Sequence, residues 1–283
     1  RKLFDNRRYQ AEGAMVGVET KRGCAESCIY CADPLAKGKR LRLRPPEMVA
    51  GEMANLAGQE VCWFHLCDSE FNLPPDHAKQ VCHAILEAGL QEKIRWYTYC
   101  APLPFDAELA GLMAATGCAG VNFGIDSLCD EQLQRLGRRH RLADVEELVR
   151  VLRKAGLNFF FDMLLGGIGE TEQTLRATAE ACRRLELPLV GVAEGMRVYP
   201  GTPLCERLEA EQDTECNPDG LLEPRFHFSP ALGEDPPGAI RQVLGDDPRF
   251  LLLARDGETR NYNYVGDDRL CRAIAAGARG AFW

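Results

Sequence analysis

The sequence predicts an α/β chain organised around a parallel sheet, and three observations carry that prediction. Apolar runs of strand length alternate with helix-patterned runs along most of the 283 residues. Several helix-patterned runs end in glycine just before the next apolar run, at Gly58, Gly89, Gly117 and Gly156, where a left-handed residue can close a helix. The apolar runs are nearly continuous, as in Phe159–Leu165, which suits strands covered on both faces or closed into a barrel. Strand following helix following strand implies parallel pairing through right-handed crossovers. Spacing alone does not separate an open doubly wound sheet from a barrel.

In chain order, strands are expected over residues 14–20, 61–67, 94–100, 120–125, 159–165 and 190–198. Between them, Phe105, Leu109, Leu112 and Met113 share one helix face, and Leu142, Val145, Val149 and Leu152 share another. Arg153 and Lys154 fall in a last turn, where cations suit the helix dipole. The pattern changes after residue 205. Residues 206–248 are rich in Glu, Asp, Pro and Gly and lack periodicity, so a loose loop is expected over part of this stretch. A short strand is then expected over 249–255 and a helix over 267–278. The organisation read from this is a linker over 1–13, a core over 14–205 and a C-terminal extension over 206–283.

The composition narrows function. A hydrophobic content of 46% supports a sizeable core, and the net charge of −8 argues against generic binding to a nucleic-acid backbone. No apolar run approaches the ~18 residues of a membrane helix. The 13 cysteines suit a reducing compartment better than a disulfide framework, so cytoplasm is expected. Cys62, Cys82, Cys100, Cys118 and Cys182 lie in apolar runs and read as small core hydrophobes. His65, in a strand run, reads as a packed histidine rather than a ligand.

Gly23 to Cys31 is different. Cys24, Cys28 and Cys31 stand in the spacing Cys-x3-Cys-x2-Cys on one short segment after the first strand. A structural zinc would want a fourth ligand. A [4Fe-4S] cluster is likewise normally held by four thiolates, so three on one loop suggest a cluster with one iron open to a ligand. This spacing resembles the signature of the radical S-adenosylmethionine (SAM) superfamily. The resemblance implies a partial (β/α)6 TIM-like barrel over about residues 14–205, with function at the C-terminal strand ends. It implies that SAM chelates the open iron and that Tyr30, before the third cysteine, lies near the adenine.

Further strand ends fit the same resemblance. Asp68, Ser69 and Glu70 stand where the family often has Gly-Gly-Glu for the SAM amino group, and this chain departs from that pattern; Asp68 or Glu70 is the expected acceptor. Asp126 or Ser127 fits the position that meets the SAM ribose or carboxylate, with capping of the next helix as the structural alternative. Gly166, Gly167 and Glu170 lie in Gly-Gly-Ile-Gly-Glu-Thr, similar to a turn that supports the adenine in the family. Arg197 and Tyr199 lie in a segment similar to Tyr-Pro-Gly-Thr of members that often carry a cobalamin domain. Arg138, Arg139 and Arg141, like Lys37, Lys39, Arg40, Arg42 and Arg44, read as solvated charge with anion binding as the alternative.

The resemblance implies reductive SAM cleavage to a 5′-deoxyadenosyl radical that abstracts hydrogen. Cobalamin-assisted methyl transfer or a rearrangement on a small molecule or peptide is the expected outcome. An electron donor such as flavodoxin or ferredoxin is the expected partner. The alternatives are an RNA methylthiotransferase-like enzyme and a non-catalytic iron-sulfur module. No Asp-x-His-x-x-Gly cobalt-binding pattern occurs in the chain. The motifs at 68–72, 166–171 and 199–202 resemble members with an N-terminal cobalamin domain, Arg1 is not a natural start and residues 3–13 read as a linker, so such a domain of ~100–200 residues is expected ahead of Arg1.

Overall fold

A computed structural model describes residues 4–11, 14–211 and 224–252. The chain runs α1 (Asn6–Ala11), β1 (Val16–Val18), β2 (Lys21–Arg22), α2 (Asp33–Lys37), β3 (Arg42–Leu43), α3 (Pro46–Ala57), β4 (Trp63–Leu66) and α4 (Pro75–Glu87). It continues through β5 (Arg95–Cys100), α5 (Ala107–Ala115), β6 (Cys118–Asp126), α6 (Asp130–Arg135), α7 (Leu142–Ala155), β7 (Phe159–Leu165) and α8 (Glu172–Arg184). It ends in β8 (Val190–Glu194), β9 (Met196–Arg197), α9 (Pro203–Ala210), β10 (Phe226–His227), α10 (Pro236–Leu244) and β11 (Phe250–Leu252).

One seven-stranded sheet in the order β1-β4-β5-β6-β7-β8-β11 organises the rest, and all its pairings are parallel. This is the partial TIM-like barrel that the sequence implied. The six expected strands all form. The strand expected at 249–255 is present within the described residues as β11, pairing with β8 as the seventh.

The two faces of the strands differ. In β4, Phe64 and Leu66 are fully buried beneath helices, whereas Trp63 and His65, pointing the other way, are half-buried along the inside of the barrel. The core lies between strands and helices. Phe123 packs edge-on against both Phe105 and Phe161 at centroid distances of 5.2 and 5.8 Å. From α7, Val145, Leu148, Val149 and Leu152 enter this core on the expected helical spacing.

Helix ends follow local chemistry, with two departures. The Asp106 carboxylate accepts from the Leu109 N–H at 2.7 Å and starts α5. Gly156 closes α7 at φ 67°. Gly58, however, stays in the right-handed helical region at φ −62°, and the left-handed turn after α3 falls on Glu60 at φ 65°. The other departure is in the aperiodic stretch 206–248, whose described part includes α9 and α10. Ile240, Val243 and Leu244 of α10 are buried in the main core. The helix expected at 267–278 lies outside the described residues.

Asp68 is pinned where β4 ends. Its carboxylate accepts from the Thr20 N–H at 2.8 Å, the Thr20 hydroxyl, the Lys21 N–H at 3.2 Å and Lys21 Nζ at 2.9 Å. Lys21 Nζ also donates to the Phe71 carbonyl at 3.0 Å. Both side chains are almost wholly buried, at 2% and 0% exposure. Breaking a buried pair strands a charge and costs about 3–5 kcal/mol, whereas replacing both partners with apolar groups is far milder. Lys21→Met is therefore expected to lose about that much stability in urea denaturation, and Lys21→Met/Asp68→Leu to regain a substantial part. A single variant as stable as the parent would remove the pair from its structural role.

Glu170 supplies a second test. It is fully buried, and its carboxylate accepts from the Gly166 N–H at 2.6 Å. Burial pushes its carboxyl up to about 7, against the hydrogen bonds from Gly166 and Gly167. A folded-state value above the unfolded one means that the folded chain binds the extra proton. The stability Glu170 contributes is thus full below about pH 4.5 and is lost as pH rises through about 7. Glu170→Gln, which keeps an acceptor for Gly166, is expected to show a smaller fall in melting temperature from pH 5 to 8 than the parent. An unchanged slope would show that Glu170 does not titrate there.

Candidate functional site

The site is built at the C-terminal ends of β1, β4 and β6, where a β/α barrel gathers its functional loops. β2 and β3 form a small antiparallel hairpin after β1. The cysteine loop hangs between them and α2, and Asp68 anchors its start through Thr20 and Lys21. Gly23 is needed there: its φ is 113°, and a Cβ would sit 2.4 Å from the Arg40 carbonyl oxygen.

Cys24 and Cys28 are buried, Cys31 is half-buried, and all three are free thiols. Burial pushes Cys24 up to about 11 and Cys28 up to about 12, and Cys31 moves in the same direction for the same reason. Three desolvated thiols, each feeling its neighbours' charge, suit a metal centre that takes them as thiolates. Among the described residues, no His, Cys, Asp or Glu group is already closed tightly enough to hold a single metal ion. Ten described cysteines are free thiols.

Arg138 ties the loop to the sheet. Its Nη1 donates to Cys28 Sγ at 2.8 Å, its Nη2 donates to the Gly124 carbonyl, and its Nε lies 3.2 Å from Asp126 Oδ2. The Tyr30 hydroxyl donates to the same Asp126 oxygen at 2.6 Å. Asp126 reaches this position because the register between β6 and β7 shifts at Gly124/Asp126 and Asp126 takes a left-handed φ of 57°. Such a bulge re-aims side chains. Asp126 turns to Tyr30 and Arg138, while Ser127 turns the other way. The Ser127 hydroxyl is fully buried, 2.9 Å from the Thr178 hydroxyl on α8, and accepts from the Cys129 N–H.

Glu70 completes the cluster of groups. Burial is the largest cause pushing its carboxyl up to about 8, and the Arg138 charge opposes the rise. Its charge in turn raises Cys24 and Cys31. Glu70 Oε2 is buried without a hydrogen-bond partner. Asp68, two residues earlier, is saturated inside the fold. Ser69 donates to Asp33 of α2 and receives from Lys37 at 3.1 Å, so it braces the segment after the cysteines.

The remaining expected residues lie on segments that pack around the cysteine loop, where Ile168, Met196 and Val198 share a buried cluster with Ile29 and Tyr30. The Gly166–Gly167 turn is crowded by protein: a Cβ on Gly166 would meet Ile240 at 2.9 Å, and one on Gly167 would meet Met196 at 2.6 Å. The Arg197 guanidinium lies over the Tyr199 ring at 4.6 Å. Arg138 is the residue that the sequence hid. Its side chain is 6% exposed, while its neighbours Arg139 and Arg141 are 73% and 69% exposed. A run of basic residues carries no mark of which member folds inward.

A model of the Radical SAM superfamily matches residues 18–182. The tryptophan 2-C-methyltransferase of Streptomyces laurentii is 34% identical over 221 residues, covering 74% of this chain and 37% of that protein. The cytidylyl-2-hydroxyethylphosphonate methyltransferase of Streptomyces wedmorensis is 29% identical over 62% of this chain and 35% of that protein. The radical SAM methyltransferase TsrM from Kitasatospora setae, solved with tryptophan and the SAM analogue aza-SAM, superposes with a TM-score of 0.85 at 30% identity. That match covers 99% of this chain and 62% of the TsrM chain. The chain thus spans less than two thirds of the length of each of these relatives.

Proposed function

For a chain that belongs to the Radical SAM superfamily, we propose a cobalamin-assisted methyl transfer from SAM to a carbon of a small aromatic molecule. The observation that carries this reading is the joining of three free thiols, Arg138, Asp126, Tyr30 and Glu70 at one strand-end site. The relatives named for methyl transfer, one of them solved with tryptophan, supply the reaction class and the substrate class.

Cys24, Cys28 and Cys31 would hold three irons of a [4Fe-4S] cluster, and SAM would take the fourth. When bound, the cluster supplies an electron to the SAM sulfonium, and cobalamin supplies a carrier for the methyl group. The chain's own residues bind and orient. Arg138 places a buried guanidinium where a SAM carboxylate can pair with it. Glu70, with an unpartnered oxygen, accepts from the SAM ammonium, the role the sequence left open between Asp68 and Glu70. Asp126 and Tyr30 form the hydroxyl-binding wall for the ribose and adenine. Gly166, Gly167 and Glu170 hold the adenine-side turn in shape, and Arg197 with Tyr199 flanks the mouth. The site excludes water by burial, which strengthens each of these contacts. A flavodoxin- or ferredoxin-type protein is the electron donor. Among the described residues, no helix is long and apolar enough to cross a membrane.

Anaerobic reconstitution is expected to load about four irons per chain with the absorbance of a [4Fe-4S] centre, and the Cys24→Ala/Cys28→Ala/Cys31→Ala variant to load none. A normal cluster in that variant would sink the assignment. Glu70→Gln and Arg138→Met are each expected to weaken SAM binding about tenfold or more, the scale of one lost charge-assisted contact. Ser127→Ala should leave SAM affinity unchanged, because its hydroxyl is used inside the fold. Calorimetry on the reconstituted variants checks both, and the opposite ranking would reverse the roles of Arg138 and Ser127.

A further inference from the structure

The inside of the barrel is a second, separate arrangement of polar groups beneath the thiol site. Its floor is apolar: Tyr97 and Phe160 are buried together, and Trp63 stacks on Tyr97 at 5.9 Å. Above that floor lie four inward-facing side chains from three neighbouring strands and β4: His65, Tyr99, Asn122 and Asp162. The His65 and Tyr99 rings meet edge-to-face at 5.6 Å. Asn122 stands in register with Tyr99 across β5 and β6, and its Nδ2 donates to Asp162 Oδ2 at 3.4 Å.

Asn122 is 1% exposed, yet its Oδ1 has no hydrogen-bond partner. A buried amide oxygen left unpaired is costly, about 1–3 kcal/mol, unless a ligand supplies the missing donor. The groups around it do not supply a cation. Burial pushes His65 down to about 4, so its ring is neutral at pH 7. Burial pushes the Tyr99 phenol up, Asp162's charge adds to the rise, and the Asn122 amide opposes it. The layer therefore presents an amide oxygen and a carboxylate beside two uncharged rings. It calls for a ligand that donates hydrogen bonds and offers a flat apolar face.

Position fits chemistry. Gly124 is two residues beyond Asn122 on β6, and Arg138 binds its carbonyl. A two-residue step along a strand is about 6.6 Å. A ring anchored at Asn122 thus lies about one layer below the guanidinium at the thiol site. His65, Tyr99 and Asp162 are half-buried, so this layer is partly accessible to solvent.

We propose that Asn122 and Asp162, inside the barrel lumen, select an aromatic ring bearing an N–H donor, seated against Tyr99 and His65. This assignment rests on the methyl-transfer reading and names the feature of the substrate that is read. A site built to accept a hydrogen bond rejects the analogue that lacks the donor, because its buried oxygen is then left unpaired.

The test is calorimetric titration of the cluster-loaded protein, in the presence of SAM, with L-tryptophan against 1-methyl-L-tryptophan and with indole against 1-methylindole. The N–H forms are expected to bind at least about tenfold more tightly than the N-methyl forms. Asn122→Leu is expected to bring each pair toward parity while leaving SAM affinity unchanged. If Asn122→Leu does not fold, Asp162→Leu, at a half-buried position, carries the same readout. Equal binding of N–H and N-methyl forms by the parent overturns the proposal, as does undiminished discrimination in the folded Asn122→Leu or Asp162→Leu protein. Absence of binding by either N–H probe overturns it as well. SAM affinity and iron content in the same preparation report on the cofactor reading separately, so failure of one is distinguishable from failure of the other.

Discussion

The buried pair of Lys21 and Asp68 is the contact on which the site depends. It joins the turn after the first strand to the end of the second strand of the sheet, across 47 residues of sequence. Asp68 also takes both hydrogen bonds from Thr20, so the chain direction entering the cysteine loop is set before Cys24. Glu70 leaves the same anchor on the other side. One satisfied ion pair thereby orients the thiol loop and the carboxylate that faces it. A buried pair contributes little net stability over an apolar one. Its value here is geometric, because it fixes where the thiol loop begins and where Glu70 stands.

Around that anchor the site is an uneven electrostatic balance. Three thiols, two carboxyls and a phenol share a desolvated space with one deeply buried guanidinium. Burial is the largest cause raising Cys24, Cys28, Tyr30 and Glu70, and the cation nearest several of them is Arg138. Such a site favours positive ligands: metal ions that take the thiols as thiolates, and an ammonium that meets Glu70. Burial favours the neutral thiols and the neutral Glu70 carboxyl until positive charge enters. Beneath it, the lumen repeats the same preference in milder form, with an amide oxygen and a single carboxylate beside uncharged rings.

Glycine in this fold serves protein packing more than ligand access. The Gly166–Gly167 turn reads from sequence as a cradle for a bound adenine. The structure fills the space over it with Ile240, Phe228 and Met196. The turn is held closed from within by Glu170 and from above by the segment that returns from α9. Residues 224–252, aperiodic in sequence up to 248, do this covering: β10 pairs with β9, α10 joins the core, and β11 extends the sheet.

The features legible in the sequence were those that local spacing encodes. Cys24, Cys28 and Cys31 fall on one loop whatever the fold, and strands such as Phe159–Leu165 announce themselves by an unbroken apolar run. The parallel order of the sheet follows from strand-helix alternation, and the barrel from the family resemblance. Direction within a strand end was not legible. Asp126 and Ser127 are neighbours with opposite fates because a bulge between β6 and β7 turns one toward Tyr30 and the other toward Thr178. Asp68 and Glu70 offer the same functional group, and Thr20 and Lys21, on the segment that follows the first strand, decide that Asp68 is consumed by the fold. Arg138 is the immediate neighbour of Arg139, yet it is buried against the cysteine loop through a contact across 110 residues to Cys28. Even the left-handed turn after α3 moved from Gly58 to Glu60. Each of these outcomes depends on which distant segment arrives to claim a hydrogen bond or cover a face. Local pattern names the candidates, and long-range packing selects among them.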